Sequence, residues 1–211
     1  AKEGSTHVGY KSGAVVSGNR NVAIGTYSMP FVTEGENNIS IGADTLYPLK
    51  KANGCVGIGK AVLTGTEAED CVAIGGGAMS QWSFEGVRKE CVAIGTDACP
   101  AAKEGSTHVG YKSGAVVSGV KNTAVGYRSM GVGTRTTIDV TGSELTCIGY
   151  MSQIDDTTTA KAAVNSTAIG ANTKITKSNQ VVIGNSAVEE VIIGGKKIIF
   201  YNDGSVKWEN V

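Results

Sequence analysis

The chain has 211 residues, and its 19 basic and 19 acidic side chains cancel to a formal charge of zero. That balance argues against an electrostatic nucleic-acid binder, which needs a basic face to displace counterions. No apolar run approaches the roughly 18 residues a membrane-spanning helix requires, so neither nucleic acid nor membrane insertion is expected. The 24 Val and 16 Ile against four Leu favour strands over helices, and 30 glycines supply turns.

A short phrase ending in glycine recurs from one end to the other. It reads THVG up to Gly9, NVAIG at Asn21–Gly25, NISIG at Asn38–Gly42, CVGIG at Cys55–Gly59, CVAIG at Cys71–Gly75 and CVAIG again at Cys91–Gly95. It continues as THVG up to Gly110, NTAVG to Gly126, LTCIG to Gly149, STAIG to Gly170, QVVIG to Gly184 and EVIIG to Gly194. Repetition at a nearly fixed period is the mark of a solenoid. With alternating faces, the residues one and three before each glycine, such as Val92 and Ile94, share a face expected to be the aliphatic core. The small residue between them (Ala23, Ser40, Gly57, Ala73, Ala93, Ala124) is expected to allow close approach of a neighbouring chain. A second apolar site recurs four residues after the glycine, at Met29, Leu46, Leu63, Met79, Cys99 and Met130. Each unit therefore reads as strand, glycine corner, short second strand and polar turn. Twelve rungs at about 4.8 Å each predict a column on the order of 55 Å long.

The spacing opens in three places. The Gly75–Gly95 interval contains Trp82, Phe84 and Arg88, Gly126–Gly149 contains Arg135, and Gly149–Gly170 contains Asp155 and Asp156. Insertions in solenoids collect on the surface, often on a binding face, which makes Trp82, Phe84, Arg88 and Arg135 the receptor-contact candidates. Residues 1–18 and 102–119 are identical, a duplicated module in a column whose neighbours contact mainly neighbours. Each copy places a histidine, His7 or His108, in the small-residue slot. If that slot faces a threefold axis, three imidazoles converge as candidates for an axial ion or water; an ordinary half-buried histidine is the alternative.

Of the five cysteines, Cys55, Cys71 and Cys91 share one slot four residues before the glycine. Neighbouring strands would bring them near enough for a bridge by Cα distance, but the same slot holds Asn21, Asn38 and Asn122, so free thiols in a half-buried ladder are expected. Gly54–Lys60 matches the start of a phosphate-binding loop, yet Ala61 stands where Ser or Thr should hold magnesium. Asp155-Asp156 and Glu189-Glu190 are adjacent pairs whose members point to opposite faces of a strand, unlike a glycosidase pair. No catalytic residue, cofactor or metal is assigned. Tyr10, Tyr111, Tyr127 and Tyr150 directly follow repeat glycines and predict an aromatic stripe along the rod. Beyond Gly170 the phrases become apolar on both faces, and Asn202-Asp203-Gly204-Ser205 between two apolar runs predicts a hairpin.

The phrase N-x-A-I-G with Ser, Thr or Ala three residues after the glycine (Ser28, Thr45, Ala78, Ser129) resembles the YadA-like head of trimeric autotransporter adhesins. It also resembles the β-structured shaft and tip of bacteriophage tail fibres. The 15–17 spacing, the insertions and the closing run Asn179–Trp208 look more like a fibre. The resemblance implies an all-β, repetitive β-roll or β-helix solenoid forming an elongated parallel homotrimer. The shaft would occupy residues 1–170 and an intertwined C-terminal segment residues 171–211. It further implies a virion protein joined to the rest of a fibre N-terminal to residue 1, from which a C-terminal chaperone has been cleaved. Its partner would be a bacterial surface glycan or outer-membrane receptor, and it would not be an enzyme. An adhesin head on the bacterial cell surface and a tail-associated polysaccharide depolymerase are the alternatives.

Overall fold

The computed structural model describes residues 3–81, 87–115, 117–131, 140–201 and 204–210. Eleven of the twelve phrases are strands of one parallel sheet, stacked in chain order from Thr6–Val8 through Val92–Ile94 to Val181–Ile183. The register is phrase on phrase: Val72, Ala73 and Ile74 lie opposite Val92, Ala93 and Ile94, which in turn face Thr107, His108 and Val109. Each circuit returns the chain one strand higher, giving a parallel β-solenoid of about ten turns. Three further parallel strands, Lys51–Asn53, Glu67–Glu69 and Val87–Lys89, form a second ladder on three of the turns.

The two faces of the phrase are the reverse of the sequence expectation. The slot two before the glycine points into the coil: Ala23, Ser40, Ala73, Ala93 and Ala124 are fully buried. The Ile and Val on either side point outward. The physical reason is the size of the circuit. The circuit is narrow, and across from the phrase the long side chains that fill it come chiefly from the site four residues after the glycine, joined in some turns by others such as Val32, Leu49, Leu145, Ile154 and Ile175. Met29, Leu46, Leu63, Met79, Cys99 and Met130 are all buried there. The phrase strands facing them then contribute small groups, because interiors pack to crystal-like density and the long side chains already fill the space in front of those strands.

Regular left-handed backbone makes the corners. The repeat glycines hold φ between +114° and +134° from Gly9 to Gly170. A Cβ on Gly95 would stand 2.6 Å from the carbonyl oxygen of Gly110, so these positions need glycine for space as well as for conformation. Left-handed residues recur five before, two after and four after the glycine, as at Asp70, Gly77 and Met79 around Gly75. Among the described residues, none of the non-glycine residues with positive φ is Val, Ile or Thr, the types for which that region is a true outlier.

The residue three after the glycine explains why Ser and Thr recur in that slot. Ser28 Oγ donates to the Ser40 carbonyl at 2.9 Å, Ser113 Oγ to Ala124 at 3.0 Å, and Ser152 Oγ to Ala168 at 3.1 Å. Each ties one rung to the small residue of the next, satisfying a hydroxyl that would otherwise be buried without a partner.

At the C-terminal end the pattern changes. The twelfth phrase leaves the column, and Glu190–Ile193, Lys196–Phe200 and Val206–Asn210 form a three-stranded antiparallel sheet. The expected hairpin is present, with Tyr201 N–H donating to the Ser205 carbonyl at 3.1 Å. The one helix among the described residues is a single turn, Thr158–Lys161, capped by Thr157, whose Oγ1 accepts from Ala160 N–H at 3.2 Å.

Candidate functional site

The slot four before the glycine lines the interior with a polar and thiol column. Asn21 Oδ1 accepts the Asn38 backbone N–H at 3.0 Å, and Asn38 Oδ1 accepts that of Cys55 at 2.9 Å. The amide nitrogens donate to Gly35 and Ala52 carbonyls. Asn122 repeats the arrangement between Leu145 N–H and the Gly142 carbonyl. Cys55, Cys71 and Cys91 continue the column as buried free thiols, like Cys99 and Cys147. Hydrogen bonding to Cys71 and then burial push the Cys55 and Cys91 thiols far up. Burial pushes Cys99 and Cys147 up to about 12. These four thiols are held protonated and inert. Cys71 moves the other way, its pKa pulled down by hydrogen bonding to Cys55 and then Cys91, and it is burial that keeps it from reagents.

His108 sits inside its own coil, fully buried between Ala93 and Ala124 of the flanking rungs, so it is not an axial ligand facing another chain. Burial pushes its pKa down to about 4. Its ring takes the room that a long side chain fills in other turns: the slot four after its glycine is Gly114, and a Cβ there would overlap His108 Nδ1. His7 and Gly13 repeat the pairing in the first turn, where the histidine is half-buried and burial lowers its pKa less. Among the described residues no group of three or more His, Cys, Asp or Glu is placed to hold a metal ion.

Arg88 is also not a surface contact. Its strand, Val87–Lys89, joins the second ladder with Arg88 in register with Ala68 and Ala52, and the side chain is completely buried. The guanidinium donates to the Thr64 carbonyl and, at 3.1 Å, to that of Pro100. Gly65 makes room for it. Burial lowers its pKa to about 10, with the cysteines 71, 99 and 91 opposing, so the charge persists at neutral pH and is met by carbonyl dipoles. The inward alternation of Ala52 and Ala68 was the signal that this slot faces the interior.

Trp82, Phe84 and Arg135 lie outside the described residues. The phrase strands present an aliphatic stripe outward, and the positions just after the glycines an aromatic one. Ile24, Ile41, Ile58, Ile94, Val125, Ile148 and Ile169 form one row in register along the sheet, ending in Ile183 at 56%; with Ile39 of the adjacent row they keep 36–41% exposure, and that adjacent row ends in Val181 at 71%. The aromatic stripe is real but split. Tyr111, Tyr127 and Tyr150 stack with ring centroids 5.2 and 5.5 Å apart, while Tyr10, Tyr27 and Tyr47 meet edge to face. Asp155 and Asp156 pair separately, with Lys174 at 4.0 Å and Lys161 at 2.8 Å.

The class that the architecture defines is the parallel β-solenoid. Compared with protein-family models, curated proteins and solved structures, the chain has no match.

Proposed function

We propose that this chain is a homotrimeric segment of a bacteriophage tail fibre that attaches to the surface of a bacterial host. The observation that carries the trimer is the outward aliphatic stripe. Completing the burial of eight side chains that are about two-fifths exposed is worth about 0.6–1.2 kcal/mol each, or roughly 5–10 kcal/mol per protomer. Association costs about 4–15 kcal/mol, so three stripes meeting around one axis can hold a trimer. An in-register stripe suits closed cyclic symmetry. The exposed Ile192, Ile193, Val206 and Trp208 of the antiparallel sheet extend the same surface chemistry beyond the column.

Attachment rests on the family resemblance together with multivalency. Three copies of every inserted loop convert weak contacts into avidity, and Trp82, Phe84 and Arg135 remain the loop candidates. Incubation with lipopolysaccharides from a panel of bacteria tests this reading. Retention without released oligosaccharide is the expected result. Release of oligosaccharide would make the protein a depolymerase, and failure to bind any surface preparation would remove the attachment role.

A further inference from the structure

A groove of about 270 Å³ runs along the corner of the column, bordered by Asp97, Lys112 and Arg128 on one side and by Ser80, Pro100 and Ala115 on the other. Its construction follows from the repeat. Asp97, Lys112 and Arg128 all stand two residues after a repeat glycine, in left-handed backbone with φ of 54°, 51° and 50°. The rungs are locked in register, with Lys112 N–H donating to the Thr96 carbonyl at 3.0 Å and Arg128 N–H to the Tyr111 carbonyl at 2.8 Å. Ser80, Pro100 and Ala115 stand five after their glycines. The groove is thus two stacked columns of one slot each, fixed by the main chain rather than by mobile side chains.

Its chemistry is specific. Lys112 and Arg128 place two cations on adjacent rungs, about 4.8 Å of rise apart. Among the described residues neither is in an ion pair; Lys112 Nζ lies 5.3 Å from the Tyr111 ring centroid. Ser80 and Asp97 offer a hydroxyl and a carboxylate, while Pro100 and Ala115 give an apolar floor. A volume below the 300–1,000 Å³ of drug-sized pockets suits one small ring rather than a large cofactor. From this geometry we infer that the groove binds a carboxylate-bearing sugar unit of an extended acidic glycan. Its acid group meets Lys112 and Arg128, its hydroxyls meet Ser80 and Asp97, and the C–H face of its ring lies on Pro100 and Ala115. Arg128 offers the paired donors that suit a carboxylate. The inference takes its source of ligand from the attachment reading above, but its chemistry from the groove alone.

Titration of the whole chain with oligogalacturonate, followed by ligand-observed NMR and calorimetry, tests it, with neutral dextran and polyglycerol phosphate as parallel probes. The variant is Lys112→Asn with Arg128→Asn, because asparagine tolerates the left-handed backbone and stands naturally in this slot as Asn172. The charge-matched control is Lys11→Asn with Lys121→Asn, also at left-handed positions. We expect oligogalacturonate binding to fall at least tenfold in the groove variant and less than twofold in the control, with no dextran binding. An equal loss in both variants would reduce the effect to net charge and overturn the site, as would unchanged binding in the groove variant. Stronger binding of polyglycerol phosphate would reassign the groove to phosphate. Circular dichroism of Lys112→Asn and Arg128→Asn singly guards against a folding defect, and each single change should weaken binding three- to tenfold. Adsorption to bacterial surfaces without oligogalacturonate binding would sink the groove and leave attachment standing; the converse would do the opposite.

Discussion

His108 and Gly114 make a complementary pair that can be exchanged for the pair used elsewhere in the column. Five turns combine a small residue two before the glycine with Met or Leu four after it, as in Ala124 and Met130. The duplicated turn inverts the sizes. Gly114 has a φ of 65°, close to the 55° of Met130, so methionine fits its backbone. His108→Ala alone opens a cavity, a loss of about 2–4 kcal/mol. The change also removes ring nitrogens that have no hydrogen-bond partner among the described residues, which recovers about 1–3 kcal/mol. The net cost at pH 8 is about 1–2 kcal/mol. Gly114→Met alone forces a side chain into the imidazole and costs about 3 kcal/mol. Combining them should return the protein to within about 1 kcal/mol of wild type, a coupling of about 3 kcal/mol.

The same pair carries a pH signature. The His108 pKa is lowered to about 4 in the folded state against about 6.5 unfolded, so the unfolded chain binds more protons below 6.5. Stability is full above that pH and declines as pH falls toward 4. Between pH 8 and pH 5 the loss is about 2 kcal/mol, and the double variant should lack it. Guanidinium denaturation followed by circular dichroism at the two pH values measures both effects. Additive single-variant costs, or a double variant that keeps the full acid loss, would refute the packing described for this turn.

Three further outcomes follow from the column. Gly95→Ala, at φ 130° and facing the Gly110 carbonyl, should destabilise by about 3 kcal/mol or more, seen as a fall in thermal midpoint; a neutral result would mean the corners do not stack this closely. Arg88→Ala should cost about 3 kcal/mol by leaving the Thr64 and Pro100 carbonyls without their donor and a void beside Gly65, whereas Glu90→Ala, exposed just past the end of the same strand, should stay within about 0.5 kcal/mol. The five buried thiols should react with a thiol reagent only at the rate of unfolding, giving five equivalents in guanidinium and essentially none in native buffer; prompt reaction of even one would place that cysteine outside the core.

The stacking of rungs could be read from the sequence because the phrase is both spaced and glycine-terminated, and the phrase glycines from Gly9 to Gly149 turned out to be needed for φ and for space. The Ser or Thr three residues on was visible as a pattern, but its hydroxyl tie to the next rung was not. Which face of the strand points inward was misjudged because bulky aliphatics are the usual core. In so thin a coil the side chains after the corner occupy the centre, and the Ile and Val of the phrase itself are left outside. Arg88 was misplaced for a related reason: a lone cation in an insertion suggests surface, whereas its register with Ala52 and Ala68 makes it an interior rung. The groove was invisible as a motif, since Asp97, Lys112 and Arg128 come together only when one slot of successive turns is stacked.

The central claim is that the outward Ile and Val stripe joins three copies of this chain. Sedimentation equilibrium measures it most directly, on the wild type and on Ile94→Asn with Ile148→Asn, two changes on the outward face that leave the interior untouched. The account predicts a mass three times 21.6 kDa for the wild type and dissociation of the variant without loss of its β circular dichroism. A wild type that remains at 21.6 kDa at micromolar concentration would contradict it.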